Sequence, residues 1–221
     1  KSALKFQFRQ LDTFIHPKYN DREDIAHIPR FFSTMLSVED YEKLIKEVRN
    51  QGMIPMCTPF DEESVDVIEK LDIEIIKIAS CSAMDIPLIK RVASAKMPTV
   101  ASTGGATINQ IDHMVQIFKK ENLDFALHHC VSIYPTPDDK LQLNQIDNLR
   151  NRYKGVSIGW STHEDPDDVI TVKMALAKGA TLFERHVGLE DRGHKLNKYS
   201  SSPNQVENWL KSFLDAKVTN S

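Results

Sequence analysis

Short apolar runs alternate with amphipathic helical stretches along the whole chain, and few folds tolerate that rhythm. The runs are Ala3–Phe8, Met53–Cys57, Ile73–Ile78, Pro98–Ser102, Phe125–His129, Val156–Gly159 and Ala180–Glu184. Between them, helical patterns occupy Val38–Gln51, Glu62–Leu71, Ile86–Ala95, Ile108–Glu121, Asp167–Lys178 and Pro203–Ala216. Tyr41, Leu44, Ile45 and Val48 recur at helical spacing, as do Ile111, Met114, Val115 and Phe118. Gly52 and Gly179 follow their helices as C-cap glycines do. Strands that read as apolar runs rather than alternations are covered on both faces, which predicts a parallel sheet wrapped in helices. The count is seven β/α units, and a closed barrel needs eight. The expected fold is therefore a TIM (β/α)8 barrel filling residues 1–221 as a single, partial domain. The chain enters a strand almost at once, which points to the first barrel strand as the missing one. The competing arrangement is an open, doubly wound sheet. Against it, no Gly-rich dinucleotide fingerprint follows any strand, and Ser102-Thr103-Gly104-Gly105-Ala106 has the wrong spacing.

Composition excludes several classes. With 221 residues, 41% of them hydrophobic, the chain can bury a sizeable core as one domain. A net charge of −3 without a long basic run argues against a nucleic-acid partner. No apolar stretch approaches the roughly 18 residues of a membrane span, and there is no secretory segment. The three cysteines, Cys57, Cys81 and Cys130, read as buried thiols of a reduced, cytoplasmic protein, since a disulfide would leave one over. Arg9–Leu36 is a long, polar, aromatic-bearing connection, and such a loop in a compact domain is functional or mobile.

Barrel enzymes draw their chemistry from the C-terminal ends of strands. Those positions hold Lys5, Thr58, Lys77, Ser80, Ser102, Ser132, Tyr134, Ser161, His163, Glu184 and His186, a set rich in hydroxyls and cations. His163 and His186 sit just past adjacent strands, where two neutral imidazoles can converge on one divalent ion. Lys5 and Lys77 lie within apolar strands, so each either faces the barrel mouth or reaches the outer surface by snorkelling. With hydroxyls on neighbouring strands they suggest an anion site. The Ser102-Thr103-Gly104-Gly105 turn offers backbone N–H groups and a helix start suited to phosphate, although such residues also simply cap helices. Adjacent His128 and His129 must face opposite ways, so at most one reaches a site, and a packed core histidine is the favoured reading for either. Tyr134-Pro135-Thr136-Pro137 is a rigid turn whose tyrosine could touch a sugar or phosphate.

Together these residues resemble the sialic acid synthase (N-acetylneuraminate synthase) family, which includes makers of pseudaminic acid, legionaminic acid and spore-coat polysaccharide sugars. The resemblance rests on Lys5-Phe6-Gln7, Cys57-Thr58-Pro59-Phe60-Asp61, Lys77-Ile78-Ala79-Ser80, Ser102-Thr103-Gly104, His129-Cys130 with Tyr134-Pro135-Thr136-Pro137, Gly159-Trp160-Ser161-Thr162-His163 and Glu184-Arg185-His186. These occur in family order, from the second barrel strand to the last. The resemblance implies a transferase that condenses phosphoenolpyruvate with an N-acetylated amino-sugar aldehyde, releasing phosphate, with Mn²⁺ or a similar ion as cofactor. It implies that Thr58, Lys77, Ser80 and Ser102 hold the phosphate and that Lys5 and Ser161 hold the carboxylate. His163 and His186 would ligate the metal, and Glu184 would line the sugar pocket, with Ser132 and Tyr134 as further substrate contacts. Lys5, Lys77 and Glu184 are the expected catalytic set. A homodimer is expected of the full-length form.

Some positions depart from the family. Ser82 stands where members have an acidic residue, and Thr162 where they often have aspartate. Lys195-Leu196-Asn197-Lys198-Tyr199-Ser200-Ser201 replaces a Gly-Pro-Asp element. The first strand with its catalytic glutamate and the C-terminal antifreeze-like domain are both missing from the expected pattern. Two other readings therefore stand beside the synthase: another metal-dependent barrel aldolase or lyase, and a barrel that has lost catalysis and serves as a binding module.

Overall fold

A computed structural model of the chain describes residues 1–25, 27–190 and 195–219. Its strands are β1 (Ala3–Phe8), β2 (Ile54–Pro59), β3 (Ile75–Ile78), β4 (Thr99–Ser102), β5 (Phe125–Cys130), β6 (Ser157–Thr162) and β7 (Phe183–Arg185). They form one sheet in chain order, with β1 and β7 at the ends of that order. The pairs β1–β2, β2–β3, β5–β6 and β6–β7 are parallel, and a helix lies between each pair of successive strands. That is the α/β alternation the apolar rhythm predicts. Among the described residues no helix is long and apolar enough to cross a membrane.

By backbone proximity the chain divides into two compact units, Lys1–Val100 with Asp112–Asp124 and Ala101–Ile111 with Phe125–Ser221. In the first, helices start where side chains can cap them. Ser37 accepts from the Asp40 amide, Asp61 from that of Ser64 and Asp85 from that of Leu88. Cys57, Val65, Ile68, Ile76, Ile78, Leu88, Ile89 and Val92 are wholly enclosed in its core. The Arg9–Leu36 connection is not a bare loop. It carries helices Leu11–Phe14 and His27–Ser33, and Leu11, Ile15 and Ile28 form a small buried cluster with Phe31 against it. The Arg9 guanidinium lies 4.1 Å from the centre of the Phe31 ring and 4.4 Å from that of Phe60, which gives this polar segment its anchor.

The second unit packs helices Asn144–Arg152 and Ile170–Ala177 against its strands, with Leu127, Ile146, Val172 and Ala175 fully buried. The sequence reading did not single out the first of these helices, whose run is mostly polar with Ile146 and Leu149 as its buried residues. One cysteine expectation fails. Cys57 and Cys130 are buried, but Cys81 is exposed, because the 3-10 turn Ser80–Ser82 tucks its two serines inward and turns the thiol out.

Candidate functional site

Strand register decides which side chains share a face. In the second unit Cys130 pairs with Ser161 and Ser161 with Glu184, while His128 pairs with Gly159. Side chains alternate along a strand, so His128, Cys130, Ser161 and Glu184 occupy one face, and His163 and His186 continue it two residues on. The contacts agree. The Ser161 hydroxyl lies 3.5 Å from Glu184 Oε1, and His128 Nδ1 lies 3.8 Å from Glu184 Oε2. Gly159 is required here: a Cβ at this position would run into the His128 ring and the Leu182 carbonyl.

His163 is buried, and its ring centre lies 5.2 Å from that of His186, with the planes 47° apart. Nδ1 of His163 lies 3.2 Å from the Val131 carbonyl and 3.8 Å from Cys130 Sγ. A carbonyl at that nitrogen takes an N–H and leaves Nε2 with its lone pair, the tautomer a metal ligand needs. Two tyrosines complete a ring of aromatics: Tyr134 stands 4.2 Å from His163, and Tyr199 stands 5.2 Å from both His186 and Tyr134. Among the described residues no group of three or more His, Cys, Asp and Glu side chains is set to hold an ion. Among the described residues the candidate donors at this end of the face are the His163 and His186 imidazoles. Two imidazoles with ring centres this close could hold one divalent ion between them.

The opposite face of the same strands is structural. His129 Nε2 lies 2.9 Å from the Leu141 carbonyl, the ring sits 5.0 Å from that of Trp160, and burial pushes the imidazole pKa down. Thr162 bonds to Glu164, a carboxyl with no exposed side-chain surface whose pKa burial raises. Arg185 lies 3.9 Å from Glu164 and reaches the carbonyls of Asp165 and Asp168. The substitution at Thr162 thus falls on the packing face, away from the histidines.

The first unit places Lys5, Thr58 and Lys77 on one strand face. Lys5 pairs with Met56 and Gln7 with Thr58, and Thr58 and Lys77 lie one residue beyond the Cys57–Ile76 pair. Lys77 is only 2% exposed, and its ammonium donates to the Ile78 carbonyl at 2.9 Å. Thr58 Oγ1 is buried without a hydrogen-bond partner among the described residues. Ser80 is buried in the turn after β3. Ser102 ends β4 in the second unit, and the turn after it runs close to Ser132: a Cβ on Gly105 would come 3.9 Å from that hydroxyl. Ser132 and Tyr134 are exposed on the segment after β5. Two participants escaped the sequence reading. His128 could have been placed by alternation from Ser161 and Glu184 once the register was known. Tyr199 lies in a segment with no periodic signal.

The chain matches the model of the NeuB family over residues 2–218. It is 35% identical over 155 residues to N-acetylneuraminate-9-phosphate synthase of Drosophila melanogaster, covering 70% of this chain and 41% of that one. With pseudaminic acid synthase of Campylobacter jejuni it shares 32% identity over 153 residues, covering 69% of this chain and 44% of the relative. A crystal structure assigned as spore coat polysaccharide biosynthesis protein E of Chromobacterium violaceum superposes with a TM-score of 0.96 at 47% identity, covering 99% of this chain and 65% of that one. The chain spans about half the length of the curated relatives it matches.

Proposed function

The chain belongs to the NeuB family, and from that premise we propose that it carries the synthase chemistry of a nonulosonic acid: condensation of phosphoenolpyruvate with an N-acetylated amino-sugar aldehyde and release of phosphate. The observation that carries this reading is the second unit's strand face, where His163 and His186 stand with Ser161 and Glu184. On this reading the seven β/α units are strands two to eight of an eight-stranded barrel. The working form is a cytoplasmic homodimer.

His163 and His186 would hold one divalent ion, Mn²⁺ by family expectation, which when bound acts as a Lewis acid on the aldehyde oxygen. The remaining work falls to the chain's own groups. Lys77, a buried ammonium, and the Thr58 hydroxyl, which has no partner among the described residues, suit the phosphate, with Ser80 in the same unit; the family resemblance adds Ser102. A cation in such a partly dry setting attracts an anion several times more strongly than it would in water. Lys5 and Ser161 suit the carboxylate, Ser132 and Tyr134 are further substrate contacts, and Glu184, held beside Ser161 and His128, faces the sugar. With both substrates positioned, C3 of the enol phosphate bonds to the aldehyde carbon, whose oxygen takes a proton. Water adds to C2 and loses one proton, and the C2–O bond to phosphate breaks as the remaining hydroxyl proton passes to the departing phosphate, leaving the keto acid. Positioning and electrostatics supply most of the acceleration.

Calorimetric titration of phosphoenolpyruvate in the presence of Mn²⁺ tests the reading. Wild-type protein is expected to bind, and Lys77→Ala to bind at least tenfold more weakly while unfolding at a similar temperature. Absence of binding by the wild type, or equal affinity in the mutant, would refute the assignment and favour a binding module without catalysis.

A further inference from the structure

We propose that Tyr199 is a positioning residue for the histidine pair, its ring holding both imidazoles at the mutual angle that a shared divalent ion requires. The inference rests on the reading of His163 and His186 as metal ligands. The Tyr199 ring stands at 88° to that of His163, at 5.9 Å, and at 90° to that of His186, at 5.2 Å. It therefore makes an edge-to-face contact with each, the arrangement aromatic rings prefer. His163 is also held at the Val131 carbonyl, and His186, half-buried, follows directly on the three-residue strand β7.

The segment that carries Tyr199 is itself tied down, and tied to the ligand it supports. The Ser201 amide donates to the carbonyl of His186 at 2.9 Å, and the Gly188 amide donates to the Ser201 carbonyl at 3.1 Å. The Ser200 amide closes a turn on Asn197, Arg185 Nε donates to Ser201 Oγ at 2.6 Å, and Ser201 is fully buried. Tyr199 sits within that laced segment, so its backbone is tied to that of His186. Rotamer freedom removed before the ion arrives need not be lost on binding. Groups that orient metal ligands in this way commonly change affinity by 10–100-fold.

Titration of Mn²⁺ alone into the full chain, followed by calorimetry, tests this in wild type, Tyr199→Phe, Tyr199→Leu and His163→Ala, with metal-free thermal melts of each. Tyr199→Phe, which keeps the ring, is expected to bind within about twofold of wild type. Tyr199→Leu, which keeps bulk but not the planar face, is expected to bind at least tenfold more weakly at an unchanged metal-free melting temperature. His163→Ala should lose the site. Equal affinity in wild type and Tyr199→Leu sinks the role of Tyr199 and leaves the metal reading standing. Wild-type protein that takes up no Mn²⁺ sinks both. Loss of affinity in Tyr199→Phe as large as in Tyr199→Leu would show the hydroxyl, not the ring, to be the working part, and overturns the proposal as stated.

Discussion

His128 and His129 are neighbours in sequence with unlike surroundings, and they stand for the two faces of the β5–β6–β7 sheet. His128 belongs with Ser161, His163, Glu184 and His186, a face of ionisable and hydroxyl groups lying 3.5–5.2 Å apart. His129 belongs with Trp160, Thr162 and Arg185, whose partners are a backbone carbonyl, a buried carboxyl and a helix indole. Both faces contain histidine and charge, so residue type does not separate them. What differs is the partner. On the packing face the polar atoms bond mainly inward, to backbone or to one another; on the site face they converge on the same small volume from different strands. A departure from family pattern at Thr162 therefore falls on the packing face, whereas Tyr199 falls beside the two imidazoles.

The contrast breaks most visibly at Trp160, which is 1% exposed. Trp160→Ala is expected to destabilise by about 3–5 kcal/mol in urea unfolding, the usual result of emptying a buried indole site. Ser161→Ala, one residue along and on the other face, should change stability by under about 1 kcal/mol. Similar losses in the two would mean that the faces are not functionally distinct.

A smaller effect is expected at Gly159, where the faces meet. The Cβ of Gly159→Ala would press on the Leu182 carbonyl, part of the backbone, and on the His128 ring. About 1–3 kcal/mol of destabilisation should follow, read from the same unfolding curves. No change would show that β7 and His128 have room to withdraw.

The smallest effect concerns His129. Burial lowers its pKa below the ordinary 6.5, so the unfolded chain takes up a proton on this group where the folded chain does not. Stability contributed by the neutral form is therefore present above about pH 6.5 and lost as pH falls below it. Thermal melts between pH 7.5 and 5 should show His129→Gln losing less stability on acidification than wild type. Parallel profiles would mean that His129 is not what makes the fold acid-sensitive.

Much of this was legible in the chain itself. All seven strands were located, and helix Ile86–Ala95 was placed to the residue, because its Asp85 cap and Pro87 mark the start. Strand ends were the weak point. β6 runs on to Thr162, where an apolar run stops at Gly159, and β2 runs on to Pro59. The reason is physical: backbone pairing carries each strand past its apolar run, through Trp160-Ser161-Thr162 in β6 and Thr58-Pro59 in β2, where the hydrophobicity signal has already faded. His163, His186, Ser161 and Glu184 nevertheless stand out as candidates in the sequence, since each lies at or just past an apolar run, and the register brings them to one face.

What the sequence determined by itself is the alternation of buried strand and amphipathic helix, the family, and the donor types at each strand end, because these depend on neighbours near in the chain. Tertiary structure alone decided the rest. Register sets His128 against Glu184 and turns Thr162 away, and a segment without periodicity brings Tyr199 over both imidazoles. Those relations join residues 13 to 56 positions apart, where local propensity carries no information and only the packing of one backbone against another does.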